Sequence, residues 1–391
     1  MANSRAAQSL GQTRQMSGTS LDEIRRHLRW FADEHAATIS PLYSYLAGHA
    51  ADDDEIAGLL TAAPSAQAAD ATLLLAAVQR VLQAEPFHEL TNYYPSLGGS
   101  YGPDGALWPL FRAFTLERAA RVRSLISSRV TQTNEVRRAA LLYPAVALVA
   151  KAARGPVALL EVGTSAGLLL GMDTFSYRYQ TEQGQVVAGP TRSSVGLHCA
   201  LALAPGATLP AIPKRLSVGA RIGLDAHPVD LTDEDEYAWL EACIWPDQPE
   251  RLRLFGAAAT AQRKSPPTLV QGDAVDDLRS VAERLPAELP VVVITSNVLW
   301  LFDADRRAAF LAELGALAER RAVWWVSQEG YKAAMELLLP DRDDLVSAVG
   351  ESTFGVLGLV SWKNGSPVAR ALAKTAWHGE RMEWLPDSGP A

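Results

Sequence analysis

The chain is poor in the residues that build disulfide frameworks and metal centres. It has only two cysteines, Cys199 and Cys243, which excludes a disulfide scaffold and a cysteine-rich zinc site. Its seven histidines show none of the pairings, such as HEXXH or HXH, that hold catalytic zinc. We therefore expect no metal centre, and we expect the protein to work in a reducing cytoplasm.

Long apolar runs and an excess of basic charge are absent as well. No segment reaches the roughly 18 consecutive apolar residues of a membrane span. The polar start MANSRAAQSLGQTRQMSGTS does not resemble a signal peptide. The formal net charge is -8, whereas electrostatic binding of nucleic acid needs clustered Lys and Arg. The expected partner is therefore a small molecule, and neither a membrane nor a nucleic acid.

The pattern of the sequence changes near residue 145. We interpret the polar residues 1–19 as a disordered tail. Residues 20–145 predict a helical N-terminal domain, which opens with a capping box at Ser20–Glu23 and continues in Ala- and Leu-rich stretches. Residues 146–391 predict an α/β domain with an insertion at about residues 174–218.

Short apolar runs alternate with helical stretches in this second part, which is typical of a parallel sheet. The runs are VALLEVG, LVQGD, VVVITSN and AVWWVSQEG. Near the end, two further β-like runs flank Lys363-Asn364-Gly365-Ser366, and an Asn-Gly pair in that position predicts a hairpin. A mostly parallel sheet with a C-terminal antiparallel hairpin is the pattern of a Rossmann-like class I methyltransferase domain.

A glycine-rich turn follows the first predicted strand of this domain. Gly163 allows a tight turn, and Gly167 lets the next helix pack closely and leaves N–H groups for a ligand. Ser165 replaces the middle glycine of the dinucleotide motif, which disfavours NAD. The spacing E-x-G-x-x-x-G resembles the first motif of S-adenosylmethionine methyltransferases that act on small molecules. The alternative is a plain turn with no ligand. The predicted cofactor-binding residues here are Glu161, Gly163, Thr164, Ser165 and Gly167.

Two later strands also end in an acidic residue. Asp225 ends a β-like run at the position from which a carboxylate binds ribose hydroxyls. Gly272-Asp273 resembles the element that binds the adenine amine in methyltransferases. The alternative for both aspartates is that they cap helices.

Polar residues near the chemistry fall in three segments. The strand VVVITSN ends in Thr295, Ser296 and Asn297, and the neighbouring AVWWVSQEG ends in Glu329. A third polar segment, from Arg129 to Arg138, precedes the domain. The alternative for this segment is a structural role, with Thr133 or Asn134 as a helix cap. We predict catalytic roles for Asn134, Glu135, Asn297 and Glu329, and substrate binding by Arg129, Gln132, Thr133, Arg138, Thr295 and Ser296.

In combination, TQTNEVRRAALLYPAVA, ALLEVGTSAGLLLGMD, GLDAHPVDLTD and VWWVSQEG resemble an actinobacterial family called domain of unknown function 2332. The resemblance runs from about Gly102 to the C-terminus and implies a methyltransferase-like fold. The chain departs from the family pattern at Leu169, Arg137 and Thr295-Ser296, where the pattern has Asn, Gly and His-Ser. These losses weaken the expectation that S-adenosylmethionine is bound and used in the usual way.

Three functions follow from this reading. The first is a methyltransferase-like enzyme of secondary metabolism, including antibiotic biosynthesis, with S-adenosylmethionine as cofactor. The second is a cofactor-free enzyme that closes an aziridine ring with loss of sulfate or phosphate, in which Arg129 and Arg138 hold the leaving anion. The third is a non-catalytic subunit, with a second protein or a carrier protein as partner.

Overall fold

Residues 20–347 and 353–386 are described in a computed structural model of the protein. The tail predicted at residues 1–19 lies outside the described residues. Contacts between Cα atoms divide the chain into two compact units, Met1–Thr133 with Thr232–Arg253, and Asn134–Leu231 with Leu254–Ala391. The predicted domain boundary near residue 145 is not tested by this division and stays a prediction.

The described elements of the first unit are helices. The predicted capping box is confirmed, because Ser20 Oγ accepts the Glu23 N–H and the Glu23 side chain accepts the Ser20 N–H. Later, Asp70 Oδ1 accepts the Leu73 N–H at 2.8 Å and begins the most buried helix of the unit. The α-helices are Leu21–Trp30, Pro41–Ala50, Asp54–Ala57, Ala71–Gln83, Leu107–Glu117, Ala119–Ser128 and Glu234–Ala242, with a π-helix at Phe31–Ala36 and 3-10 helices at Gly58–Ala62, Glu89–Tyr93 and Pro95–Leu97.

The second unit contains the sheet and the helices that pack on it. Its strands are β1 Val157–Val162, β2 Ser176–Thr181, β3 Gly184–Ala188, β4 Gly196–Leu203, β5 Val218–Asp225, β6 Thr268–Gln271, β7 Val291–Ser296, β8 Val323–Glu329, β9 Gly355–Lys363, β10 Ser366–Thr375 and β11 Arg381–Trp384. Its α-helices are Ala139–Ala153, Leu278–Ala282, Ala304–Ala318, Tyr331–Ala334 and Pro249–Lys264, whose first residues belong to the other unit. Its 3-10 helices are Val136–Arg138, Leu168–Thr174, Leu299–Leu301 and Asp343–Leu345.

The described strands form one 11-stranded mixed sheet in the order β3-β2-β4-β11-β10-β9-β8-β7-β1-β5-β6. Strands β6, β5, β1, β7 and β8 are parallel neighbours, and the predicted α/β class with a mostly parallel sheet is confirmed. Every residue of β1 is buried, as expected for a strand covered on both faces.

The predicted C-terminal hairpin is confirmed. Strand β9 pairs antiparallel with β10, and Lys363 lies opposite Ser366. Asn364 and Gly365 between them have φ values of 52° and 77°, the left-handed backbone that a two-residue hairpin turn requires.

Two features of the sheet unit differ from what its sequence suggests. The segment after the glycine turn is a 3-10 helix of 7 residues, not an α-helix, because the chain enters β2 at Ser176. The expected insertion contains three strands, β2, β3 and β4, and β4 joins the main sheet through β11. In the described part of the chain, no helix is long and apolar enough to cross a membrane.

Candidate functional site

The candidate site lies at the carboxyl ends of β5, β1, β7 and β8. The order of strand addition reverses here, because β5 and β6 extend the sheet on one side of β1 while β7 and β8 extend it on the other. Doubly wound sheets bind ligands in the crevice outside such a reversal. The side chains at these four strand ends therefore define the site.

The glycine-rich turn follows β1, and three of its residues have a left-handed backbone conformation. Gly163, Ser165 and Gly167 have φ values of 72°, 50° and 72°. The Gly163 N–H donates to the Leu224 carbonyl at 2.9 Å, which ties the turn to β5. A Cβ at Gly163 would lie 2.6 Å from a methyl group of Val298. Packing against Val298 therefore already explains why this position requires glycine, without any ligand.

Asp225 at the end of β5 holds the turn from the side. Its Oδ2 accepts the Ser165 N–H at 2.7 Å, and its Oδ1 accepts the His227 N–H at 2.8 Å. The carboxylate is half-buried, and each oxygen can accept a further hydrogen bond. Asp225 is therefore a rigid acceptor next to the glycine turn.

Glu161, by contrast, is buried inside the end of β1. Its side chain is 4% exposed, and Oε2 accepts a hydrogen bond from Thr164 Oγ1 at 2.8 Å. Burial raises the pKa of Glu161 to about 8, and the charge of Asp225 adds to the rise. At neutral pH this group is mostly an uncharged carboxylic acid.

Glu329 ends β8 in a comparable environment. It is 1% exposed, and its Oε1 accepts the Val298 N–H at 3.0 Å. Its Oε2 is buried and makes no hydrogen bond of good geometry among the described residues, although the Thr295 hydroxyl is near enough to the carboxyl group to lower its pKa. Burial raises the pKa of Glu329 to about 7, which poises it between the two protonation states near neutral pH.

The polar segment from Asn134 to Arg138 lies against these strand ends. Asn134 Nδ2 donates to Ser165 Oγ at 3.0 Å, which links the segment to the glycine turn. The cap of the 3-10 helix Val136–Arg138 is Glu135, whose Oε1 accepts the Arg137 N–H at 3.1 Å. The interpretation of Thr133 or Asn134 as the cap was therefore wrong, since Asn134 uses its side chain to bind Ser165 instead.

Arg138 supplies a buried positive charge to the site. Its Nε donates to the Trp377 carbonyl at 3.1 Å. Its charge lowers the pKa of both Glu161 and Glu329, which partly offsets the effect of burial. Arg138 is thus near enough to both acids to influence their protonation.

The turn at Trp377–Gly379 completes this part of the site, and the sequence did not reveal it. His378 Nδ1 is 3.8 Å from Glu135 Oε2. Gly379 has a φ of 86°, and a Cβ there would lie 2.3 Å from the Arg137 carbonyl oxygen. The usable signal was Gly379, four residues after the end of strand β10, but the segment that it contacts is remote in the chain.

The end of β7 contributes three predicted residues. Thr295 is buried, and its Oγ1 accepts from Trp325 Nε1 at 3.1 Å. Ser296 Oγ donates to Gln328 Oε1 at 2.8 Å. Asn297 has a φ of 56°, and its Oδ1 is buried without a hydrogen-bond partner in the described part of the chain. Strained backbone of this kind often occurs at functional sites.

Other predicted residues have structural partners or lie in the first unit. Asp273 Oδ1 accepts the Val275 and Asp276 N–H groups at 2.7 and 2.9 Å and pairs with Arg306. The N–H of Gly272 donates to the Asp225 carbonyl at 2.9 Å. Arg129, Gln132 and Thr133 belong to the first unit, where Arg129 pairs with Asp235 and Glu236. The described residues contain no group of three or more His, Cys, Asp or Glu that could hold a metal ion.

The fold and the site together define an α/β protein with polar groups gathered where a doubly wound sheet binds its ligands. More specifically, the chain belongs to the family described as uncharacterized protein conserved in bacteria, DUF2332, which matches residues 25–384. The resemblance to this family inferred from the sequence is thereby confirmed. No curated protein matches the chain.

Proposed function

We propose that the protein is a methyltransferase-like enzyme that acts on a small metabolite at the carboxyl ends of β5, β1, β7 and β8. The parallel order β6-β5-β1-β7-β8 supports a Rossmann-like fold, because it corresponds to the 3-2-1-4-5 order of doubly wound sheets. The observation that carries the proposal is Asp225, a half-exposed carboxylate fixed by two N–H groups beside the glycine turn.

Asp225 fits the ribose of S-adenosylmethionine. The ribose hydroxyls need two acceptors in fixed positions, and each Asp225 oxygen keeps a free acceptor position after binding one N–H group. When bound, the cofactor supplies an electrophilic methyl group. Asp273 has its carboxylate engaged by two N–H groups and Arg306, so its assignment to the adenine amine stays a prediction without structural support.

Glu329 fits the role of the group that receives a proton from the substrate. A general base works best when its pKa is near the working pH, and the pKa of Glu329 is about 7. Its buried Oε2, which makes no hydrogen bond of good geometry among the described residues, is the atom that would accept an N–H or O–H of the substrate. Asn297 offers a second buried acceptor close by in the chain, one residue before the Val298 N–H that binds Glu329 Oε1.

Glu135 and Asn134 support the site from the neighbouring segment. Glu135 holds the turn that carries Arg138, and Asn134 holds Ser165 of the glycine turn. Both side chains thus position other groups of the site, and their predicted catalytic roles reduce to positioning in this proposal.

Calorimetry with S-adenosylhomocysteine tests the proposal. We expect the wild type to bind, and Asp225→Asn to bind at least about tenfold more weakly because a neutral amide replaces the carboxylate acceptor. The matched control is Asp303→Asn, which changes an acid that caps the helix Ala304–Ala318 on the same unit. No heat of binding to the wild type at millimolar ligand would contradict the adenosyl part of the proposal.

No observation in the structure favours the other two functions. The arginines predicted to hold a leaving anion have protein partners, Asp235 and Glu236 for Arg129 and the Trp377 carbonyl for Arg138. The 7-residue 3-10 helix after the glycine turn also lacks the α-helical N-terminus expected for an anion site. Ring closure with loss of sulfate or phosphate, and a non-catalytic subunit with a partner or carrier protein, stay predictions.

A further inference from the structure

A cavity of about 350 Å³ lies where strands β4, β11 and β10 meet, a size typical of small-ligand pockets. Strand β4 contributes Ala200 and Ala202, which alternate with the buried Leu201, so their short side chains leave room on the other face of the strand. Phe354 lines another part of the cavity. The space therefore results from small side chains on one strand facing a large ring.

The charged residues of the cavity favour an anion. Lys374, Arg381 and Glu383 line it, which gives two positive charges against one negative. Lys374 Nζ lies 5.2 Å from the centre of the Phe354 ring. Among the described residues, Lys374 forms no ion pair. Glu383 is its neighbour across the β10–β11 ladder, and the nearby Asp344 pairs with Arg342 instead. A carboxylate entering the cavity would meet an excess positive charge beside an apolar wall.

A chain of hydrogen bonds connects this cavity to the candidate site. Thr375 lines the cavity, and its Oγ1 accepts from Gln328 Nε2 at 3.3 Å. Gln328 Oε1 in turn accepts from Ser296 Oγ at 2.8 Å, at the end of β7. Ala376, which also lines the cavity, directly precedes Trp377 of the site. The cavity thus adjoins the same edge of the sheet as Glu329.

We propose that this cavity binds a small carboxylic acid with an apolar body. Lys374 would hold its carboxylate, on the side of the cavity that Lys374 and Arg381 line. Ala200, Ala202 and Phe354 would enclose the apolar part.

Binding of three matched probes to the full chain tests the charge preference. The probes are 3-phenylpropanoate, 3-phenylpropanamide and 3-phenylpropylammonium, and their binding is measured by protein-observed NMR. We expect the carboxylate to bind about tenfold more tightly than the amide, the effect of one charge-assisted hydrogen bond. Equal affinities, tighter binding of the ammonium probe, or no binding of the carboxylate at millimolar concentration would overturn the proposal.

Two variants place the binding in the cavity. Lys374→Met removes the charge and keeps an apolar side chain, and we expect it to abolish most of the preference for the carboxylate. Lys363→Met is the matched control, an exposed lysine at the turn end of the same hairpin. Ala202→Trp fills the cavity from an exposed strand position and should weaken all three probes. Unchanged binding in both Lys374→Met and Ala202→Trp would place the probes elsewhere and contradict the proposal.

S-adenosylhomocysteine distinguishes this proposal from the proposed function. Lys374→Met should bind it as the wild type does, because the cavity does not include Asp225. If the wild type binds the carboxylate probe but not S-adenosylhomocysteine, the cavity assignment stands and the methyltransferase-like function fails. The opposite result removes the cavity assignment and leaves the proposed function.

Discussion

Two pairs of acids at the strand ends of one sheet have opposite environments. Glu161 and Glu329 are 4% and 1% exposed, and burial raises their pKa values to about 8 and about 7. Asp225 and Asp273 are only partly buried, and each accepts two main-chain N–H groups. Burial thus favours the protonated form of the first pair, whereas the second pair stabilises turns nearer the surface.

A position at the end of a strand therefore does not fix the role of an acidic residue. All four residues follow or end a strand of the same sheet, and the sequence alone suggests ligand binding for each. Burial separates them, because an acid removed from water resists ionisation, whereas the two aspartates stay in partial contact with water.

Glu161→Gln should have the largest effect, and the effect should depend on pH. Between the ordinary pKa of 4.5 and about 8, the folded state keeps the Glu161 proton and the unfolded state releases it. The free energy of unfolding of the wild type therefore falls as pH rises through this window, by about 1.4 kcal/mol per unit for this group. Glutamine keeps the Thr164 hydrogen bond and removes the titration, so the variant should be the more stable protein by several kcal/mol above about pH 8.

Chemical denaturation of both proteins at a series of pH values measures this difference. The control is Glu319→Gln at an exposed position on the same unit, which should run parallel to the wild type. If Glu161→Gln and the wild type show the same dependence of the unfolding free energy on pH, Glu161 is ionised in the folded state.

Glu329→Gln should produce the same kind of effect, but smaller. The pKa of Glu329 rises only to about 7, so the loss of stability in the wild type is complete at a lower pH than for Glu161. The difference in unfolding free energy between variant and wild type should therefore stop growing near pH 7 for Glu329→Gln and near pH 8 for Glu161→Gln. If the two variants lose the pH dependence over the same range, the two acids titrate as one coupled pair.

Asp225→Asn should destabilise the protein by about 1 to 2 kcal/mol, because both N–H groups lose a charged acceptor. The Ser165 and His227 N–H groups are the ones affected. Urea denaturation near neutral pH is the measurement. Stabilisation by this variant would mean that Asp225 is strained in the free protein and awaits a partner.

Asp273→Ala should have the smallest effect, a loss of about 1 kcal/mol, which is typical for removal of a capping acid. The change removes the acceptor of the Val275 and Asp276 N–H groups. The same protein should bind S-adenosylhomocysteine as the wild type does. A large loss of that affinity would restore Asp273 to the adenine site and break the contrast.

The parallel strands and the hairpin could be predicted because their signals are local. Runs such as VALLEVG and VVVITSN are apolar throughout, and Asn364-Gly365 has the backbone freedom that its turn requires. Strands β4 and β11 escaped prediction because they pair across a distance in sequence, with Ala200 opposite Arg381. No local sequence pattern predicts such a pairing.

The candidate site could be predicted in part. Asp225 and the glycine turn meet as expected from their strand ends, and Asn134 reaches Ser165. The turn Trp377–Gly379 was missed, because its contact with Arg137 depends on where β10 lies in the finished sheet. The protonation of Glu161 and Glu329 was also out of reach, since it follows from burial and not from residue type.

A crystal structure of the protein grown with S-adenosylhomocysteine tests whether Asp225 binds the ribose of the cofactor. We expect the two ribose hydroxyls to lie within hydrogen-bonding distance of the Asp225 carboxylate. Asp273 should keep its two N–H groups, and Glu161 should stay buried against Thr164. Density for the ligand only at another place, or none at the carboxyl ends of β5 and β1 at millimolar ligand, would contradict this expectation.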